Sequence, residues 1–189
     1  VWADWDSFRR THAIEPAVNL QLARGWLTRP FVRYEDRTFF TEAAAPEQDA
    51  DGTLWLIGAD QYWFAPGWLG QADSFVRAGV RYRSEDTEGS EFDARGFEWV
   101  ATLGSEIPFE SYALVEVSYE RRNFQEPSVF QPAGDDREDR ITRVWVGLRR
   151  PLTSDFSAEL SWRYTHWKSN VDVYDFDQSV TGFRLWYEF

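Results

Sequence analysis

The sequence predicts an all-β fold, an antiparallel up-and-down transmembrane β-barrel with about nine to ten visible strands, and four observations carry that prediction. The 189-residue chain holds 34 aromatic residues (11 Trp, 8 Tyr and 15 Phe), yet its mean hydropathy is −0.55. Apolar and polar residues alternate with period two, which puts them on opposite faces of strands. The links between alternating segments are by turns short and long, and the long ones are acidic. Charges also recur in mid-strand on the polar face. A soluble sandwich has no use for that pattern, whereas a bilayer-spanning sheet, closed because lipid offers backbone groups no partners, turns its apolar face outward and its polar face inward.

From the N-terminus, V-W-A-D-W-D-S-F reads as the remnant of a tenth strand. Val18, Leu20 and Leu22 then oppose Asn19 and Gln21, and Pro30, Val32 and Tyr34 oppose Arg33 and Glu35. Residues 55–64 alternate less clearly, with Asp60 facing away from Trp55, Ile57 and Trp63. Val76, Ala78, Val80 and Tyr82 oppose Arg77, Gly79, Arg81 and Arg83. Phe97, Trp99, Ala101 and Leu103 oppose Glu98, Thr102 and Gly104, and Ala113, Val115, Val117 and Tyr119 oppose Glu116, Ser118 and Glu120. Val144, Val146 and Leu148 oppose Arg143, Trp145, Gly147 and Arg149, and Ala158, Leu160, Trp162 and Tyr164 oppose Glu159, Ser161, Arg163 and Thr165. In the last segment Phe183, Leu185, Tyr187 and Phe189 oppose Gly182, Arg184, Trp186 and Glu188.

Short links fall near residue 25 and at 66–71, 108–112 and 151–155, and long acidic ones at 41–52, 84–93 and 125–139. The pattern is a meander of hairpins with short turns on one side and long loops on the other. Trp26, Trp68, Phe109 and Phe156 are expected to form one aromatic girdle, with Tyr34, Trp63, Tyr82, Tyr119 and Trp167 along or toward the ends of the wall. The loop acids are expected to be solvated and mutually repelling. No linker divides the chain, so residues 1–189 read as a single barrel domain or the C-terminal portion of one. With no methionine, the chain reads as a processed or partial product.

The end G-F-R-L-W-Y-E-F resembles the C-terminal assembly signal of bacterial outer-membrane proteins, on Gly182, Leu185, Tyr187 and Phe189. The resemblance implies an outer-membrane location and recognition by the barrel-assembly machinery. Residues 137–189, with R-E-D-R-I, P-L-T-S-D and S-N-V-D-V-Y-D-F-D-Q, are similar to the closing hairpins of barrel porins and to the C-terminal barrels of export proteins that carry periplasmic tetratricopeptide repeats. An outer-membrane location implies outer-membrane lipids and lipopolysaccharide as partners, the loop acids offering as an alternative to free solvation a calcium or magnesium bridge to lipopolysaccharide or a neighbour, and those relatives imply other subunits or a periplasmic domain of the same protein.

The chemistry is bounded by absences. There is no cysteine and there are only two histidines, His12 and His166, so neither a thiol nucleophile nor a multi-histidine metal site is expected. A pI near 4.6 argues against nucleic acid, which needs clustered cations. No enzyme, metal site or cofactor is expected. The candidate functional residues are the inward rows: Arg33, Arg37, Asp60, Arg77, Arg81, Arg83, Glu98, Glu116, Glu120, Arg122, Arg143, Arg149, Glu159, Arg163 and Arg184, with Glu35 and Glu188. Interleaved charge of both signs fits either an interior filled with ion pairs or the wall of a water-filled pore. The expected function is a transport or export channel for polysaccharide or protein. The alternative is a small closed barrel serving as a structural anchor or adhesion platform with acidic surface loops.

Overall fold

The computed structural model describes residues 2–3, 6–7, 9–40, 45–65, 74–131 and 134–187. The described residues form twelve strands: β1 (Trp2–Ala3), β2 (Asp6–Ser7), β3 (Arg9–Ile14), β4 (Leu20–Ala23), β5 (Trp26–Phe39), β6 (Gly52–Phe64), β7 (Ser74–Thr87), β8 (Ala94–Ile107), β9 (Ser111–Phe124), β10 (Glu138–Pro151), β11 (Phe156–Ser169) and β12 (Phe176–Tyr187). Strands β5 to β12 pair in sequence order, each antiparallel to the next. Among the described residues no helix is long and apolar enough to cross a membrane.

Both β3 and β4 pair with β5, β3 opposite residues 34–39 and β4 opposite residues 26–28. Between them, Val32 N donates to Pro16 O and Val18 N to Pro30 O, each at 3.1 Å, around an Ala17–Phe31 bridge. They therefore form one interrupted strand, broken where Pro16 lacks a donor. Nine strand positions result, with β4 at the first expected one and β3 extending it upstream into a stretch without apolar alternation. The expected remnant of a tenth strand is instead the separate two-stranded pairing of β1 with β2.

The strands outrun the apolar pattern. Six of them (β5, β7, β8, β9, β10 and β11) are 14 residues long, so Glu85, Asp86, Glu138 and Asp139, expected in loops, lie on strands. The acidic run continues the ladder because alternate carboxylates find arginines on the same face, as described below.

The sheet is strongly curved. Phe39 of β5 and Phe176 of β12 line one cavity of about 370 Å³ together with residues of β7, β9 and β11. On a flat sheet the seven intervening steps would separate β5 from β12 by roughly 34 Å. Among the described residues the two edges, β12 on one side and β3 with β4 on the other, do not pair with each other.

Burial is inverted relative to a soluble core. Large apolar residues such as Ile57, Trp99, Val117, Leu160 and Phe183 are exposed on the convex face, while Asp60, Thr102, Glu120 and Asp139 are buried on the concave one. Such an apolar face, contiguous across the sheet, marks a partner or a lipid surface.

Candidate functional site

The convex face is bounded by two lines of aromatic rings. At the loop end run Tyr34 and Trp55 (centroids 4.9 Å apart), Tyr82 and Phe97 (5.2 Å), Trp99 and Tyr119 (5.9 Å), then Tyr164. At the turn end are Trp26 with Trp63 (6.2 Å) and Phe156 with Tyr187 (4.8 Å). On β5, β6 and β11 the two lines stand eight residues apart: Trp26 to Tyr34, Trp55 to Trp63 and Phe156 to Tyr164. A membrane β-strand crosses in about 9 to 11 residues.

Register adds the slope. The direct cross-strand row runs Val32, Ile57, Tyr82, Phe97, Arg121, Arg140, Lys168. Tyr34 lies two residues on the loop side of Val32, whereas Tyr164 lies four on the turn side of Lys168, a descent of six residues in six strand steps. Trp26 and Phe156 show the same descent. One residue per strand, at roughly 3.3 Å rise and 4.8 Å spacing, corresponds to strands tilted by about 35° to the normal of the aromatic lines, at the edge of the range of membrane barrels. The lines are then about 22 Å apart in height, close to the roughly 25 Å apolar band of such barrels.

One expected wall residue takes another place: Trp167 faces the concave side, beneath the Arg122 guanidinium (5.4 Å), because odd residues of β11 point inward, whereas Trp63 stands at the turn end of the wall with Trp26. Phe109 projects from the turn after β8, 78% exposed, with Phe109 and Glu110 at φ 69° and 55°. Trp68, Glu188 and Phe189 lie outside the described residues. Of the terminal motif, Leu185 and Tyr187 are exposed on the convex face, and Gly182 lies on the concave face opposite Ser161.

The concave face carries all the inward residues named above that the structure describes. Most join one chain of ion pairs. Glu15, in the kink between β3 and β4, binds Arg29 (2.9 Å) and Arg33 (3.4 Å); Arg33 binds Glu35 (2.6 Å), which binds Arg37 (2.8 Å). Arg37 crosses to Glu85 (2.5 Å), Glu85 holds Arg83 (2.6 Å), and Arg83 reaches Glu120 (4.0 Å). Glu120 accepts from Arg122 (2.5 Å) and Arg143 (2.9 Å); Arg143 approaches Glu98 (3.7 Å), which accepts from Arg81 (3.2 Å), itself 3.8 Å from Asp60. Gly79 sits opposite Asp60, and a Cβ there would strike the Asp60 carboxylate. Arg77 forms a separate pair with Glu116 (2.6 Å).

Toward β11 and β12 the pairing thins. Arg163 is exposed with no ion-pair partner among the described residues, Arg184 stands 3.9 Å from Glu159, and Arg149 lies over Trp186 (5.8 Å). Arg163 borders a polar cavity of about 400 Å³ with Trp145, Thr165 and Gln178.

The long loops do not all behave as solvated acid runs. Glu91 and Asp139, expected to repel in water, are buried. Glu91 accepts hydrogen bonds from Ser128 Oγ (2.8 Å), Val129 N (2.7 Å) and Tyr174 OH (2.8 Å). Arg137 forms a bidentate pair with Asp139 (3.1 and 2.7 Å) and is sandwiched between the rings of Tyr174 (3.4 Å) and Phe124 (4.1 Å). Burial, followed by the bond to Glu91, pushes the Tyr174 phenol above its usual value. This latch joins three loops over the loop end of the concave face; Arg137 and Asp139 lie in R-E-D-R-I and Tyr174 in S-N-V-D-V-Y-D-F-D-Q. Ser128 and Glu91 had no signal beyond their place in acidic or polar runs.

The two histidines are apart from this face. His12 is on β3 opposite Asp36, and His166 Nδ1 lies 2.8 Å from Asp177 on the convex side. Among the described residues no group of three or more His, Asp or Glu can hold a metal ion.

A curved antiparallel sheet with an apolar outer face and a charged inner one fits an outer-membrane β-barrel-like protein. Compared with known families, residues 1–182 match the surface lipoprotein assembly modifier family (SlipAM), and the chain belongs to that family. No curated protein and no solved structure matches it.

Proposed function

We propose that this chain forms part of the wall of an outer-membrane β-barrel that acts as a transport or export channel in surface lipoprotein assembly, with short turns periplasmic and long loops extracellular. The observation that carries the reading is the pair of aromatic lines, eight residues apart and descending one residue per strand, on a sheet whose other face is charged. The edge groups of β12 and β3 need partners in hydrocarbon, and further strands of the full-length protein or a neighbouring subunit supply them. Leu185 and Tyr187 on the outer face of β12 are the part of the terminal signal offered to the assembly machinery. No catalytic step enters the reading.

The least paired inward charges, Arg163 and Arg184, support a watery path along β11 and β12, since charged rows set the electrostatic barrier of a pore. The full-length protein in planar bilayers should therefore conduct ions. Arg163→Glu with Arg184→Glu should move its selectivity toward cations without touching the ion-pair chain from β3 to β10. That chain favours a second reading, a closed barrel serving as an anchor, and a wild-type protein that inserts but never conducts would establish the anchor instead.

A further inference from the structure

With the tilt derived above, residues about five to eight positions beyond the apolar midplane on the loop side lie at headgroup height, roughly 14–22 Å from the midplane. On β8 to β11 the outward residues there include Arg95, Arg121, Arg140 and Lys168. Arg140 is directly opposite both Arg121 and Lys168, and like charges directly opposed across strands are unfavourable by themselves. Their side chains are half or more exposed, at 50%, 60% and 62%. Arg95 is exposed with no ion pair among the described residues.

The carboxylates that touch this row come from its loop side: Glu138, two residues beyond Arg140 on the same face of β10, accepts from Arg121 and Arg140 at 3.0 Å each, and Asp175, just before β12, accepts from Lys168. Asp135 and Asp136 border the same outer rim. No carboxylate faces outward from β8 to β11 at headgroup height, while β5, β7 and β12 present Asp36, Asp86 and Asp177 there, Asp177 bonded to Tyr164 and His166. In a chain of net charge −12, this is a cationic sector set just above an aromatic line.

We infer that Arg95, Arg121, Arg140 and Lys168 form a binding site on the outer wall for the phosphate-bearing headgroup of an outer-leaflet lipid. The inference rests on the membrane-barrel reading. Arginine forks and a lysine ammonium donate to phosphate oxygens, and the apolar wall below them, with Val117, Val144 and Tyr164, covers the acyl chains. A free phosphate would be held by the same cations but would gain nothing from that wall.

The test uses full-length protein folded in neutral detergent, titrated separately with diphosphoryl lipid A, dephosphorylated lipid A and inorganic phosphate, and read by the temperature at which the heat-modifiable gel band is lost. The expected result is a rise with diphosphoryl lipid A alone. Arg121→Gln, Arg140→Gln and Lys168→Gln together should raise the half-saturating lipid concentration by about tenfold or more. Arg95→Gln, which breaks no ion pair, should raise it several-fold and covers the case in which the triple variant fails to fold. Equal shifts with dephosphorylated lipid A, or unchanged titrations of the folded variants, would overturn the site. A shift with inorganic phosphate equal to that with lipid A would overturn the lipid as its occupant. Loss of all heat-modifiable migration would instead remove the barrel reading, and the site with it.

Discussion

Glu120 shows how the concave face is held. Its side chain is 5% exposed and accepts from Arg122 and Arg143 on its own strand and the next, with Arg83 behind. Removing the charge leaves arginines without a counter-ion in a low-dielectric interior, and breaking a buried pair by one partner costs about 3–5 kcal/mol. Glu120→Gln should therefore lower the unfolding temperature of the heat-modifiable band markedly, whereas Glu159→Gln, whose partner Arg184 is two-thirds exposed, should change it little. An equal effect of the two would mean that the network does not hold the face. The signal for these pairs was present in the chain: R-x-E-x-R at 33–37, R-x-E at 83–85, E-x-R at 120–122 and R-x-D at 137–139 place opposite charges two apart, on one face of a strand. Which arginine also bridges to another strand, as Arg37 does to Glu85, depends on register, and alternation alone does not contain it.

Elements were legible where one face is apolar and the other polar. Strands β5 and β7 to β12 carry that contrast and β6 carries it less clearly; the expected segments of β5 to β11 fall within their bounds, and the last falls within β12 as far as Tyr187, with Glu188 and Phe189 outside the described residues. Strand β3 does not: R-R-T-H-A-I offers no apolar alternation, and it is ordered by its ladder to β5. Likewise the ends of β7 and β10 are acidic, and only the concave arginines explain why they extend the sheet. The C-terminal element combines the two kinds of information, since β12 presents Leu185 and Tyr187 outward and Arg184 inward. Replacing Leu185 and Tyr187 together with Ser should reduce the inserted fraction in cells several-fold, while Arg184→Ser should leave it near wild type. Both are measured by outer-membrane fractionation at matched synthesis. Equal insertion of the two would detach the assembly signal from the outward face.

For the whole molecule, curvature, tilt and the loop latch appear only when all the registers are combined. The alternation predicted two faces but not that the aromatic lines descend together, nor that Arg137, Tyr174 and Glu91 close three loops over one end. The central claim is that the convex face meets lipid and the concave face water or ion pairs. The chain has no cysteine, so single cysteines can be placed along β9 at 113–118 and on β5 and β11, labelled with a nitroxide in the folded full-length protein in bilayers, and probed with oxygen and a water-soluble nickel chelate. Positions 113, 115 and 117 should favour oxygen and positions 114, 116 and 118 the chelate or neither. The depth maximum should shift from near Pro30 on β5 to near Val115 on β9 and Leu160 on β11. Uniform chelate access along β9, or depth maxima confined to one cross-strand row, would contradict a tilted membrane wall.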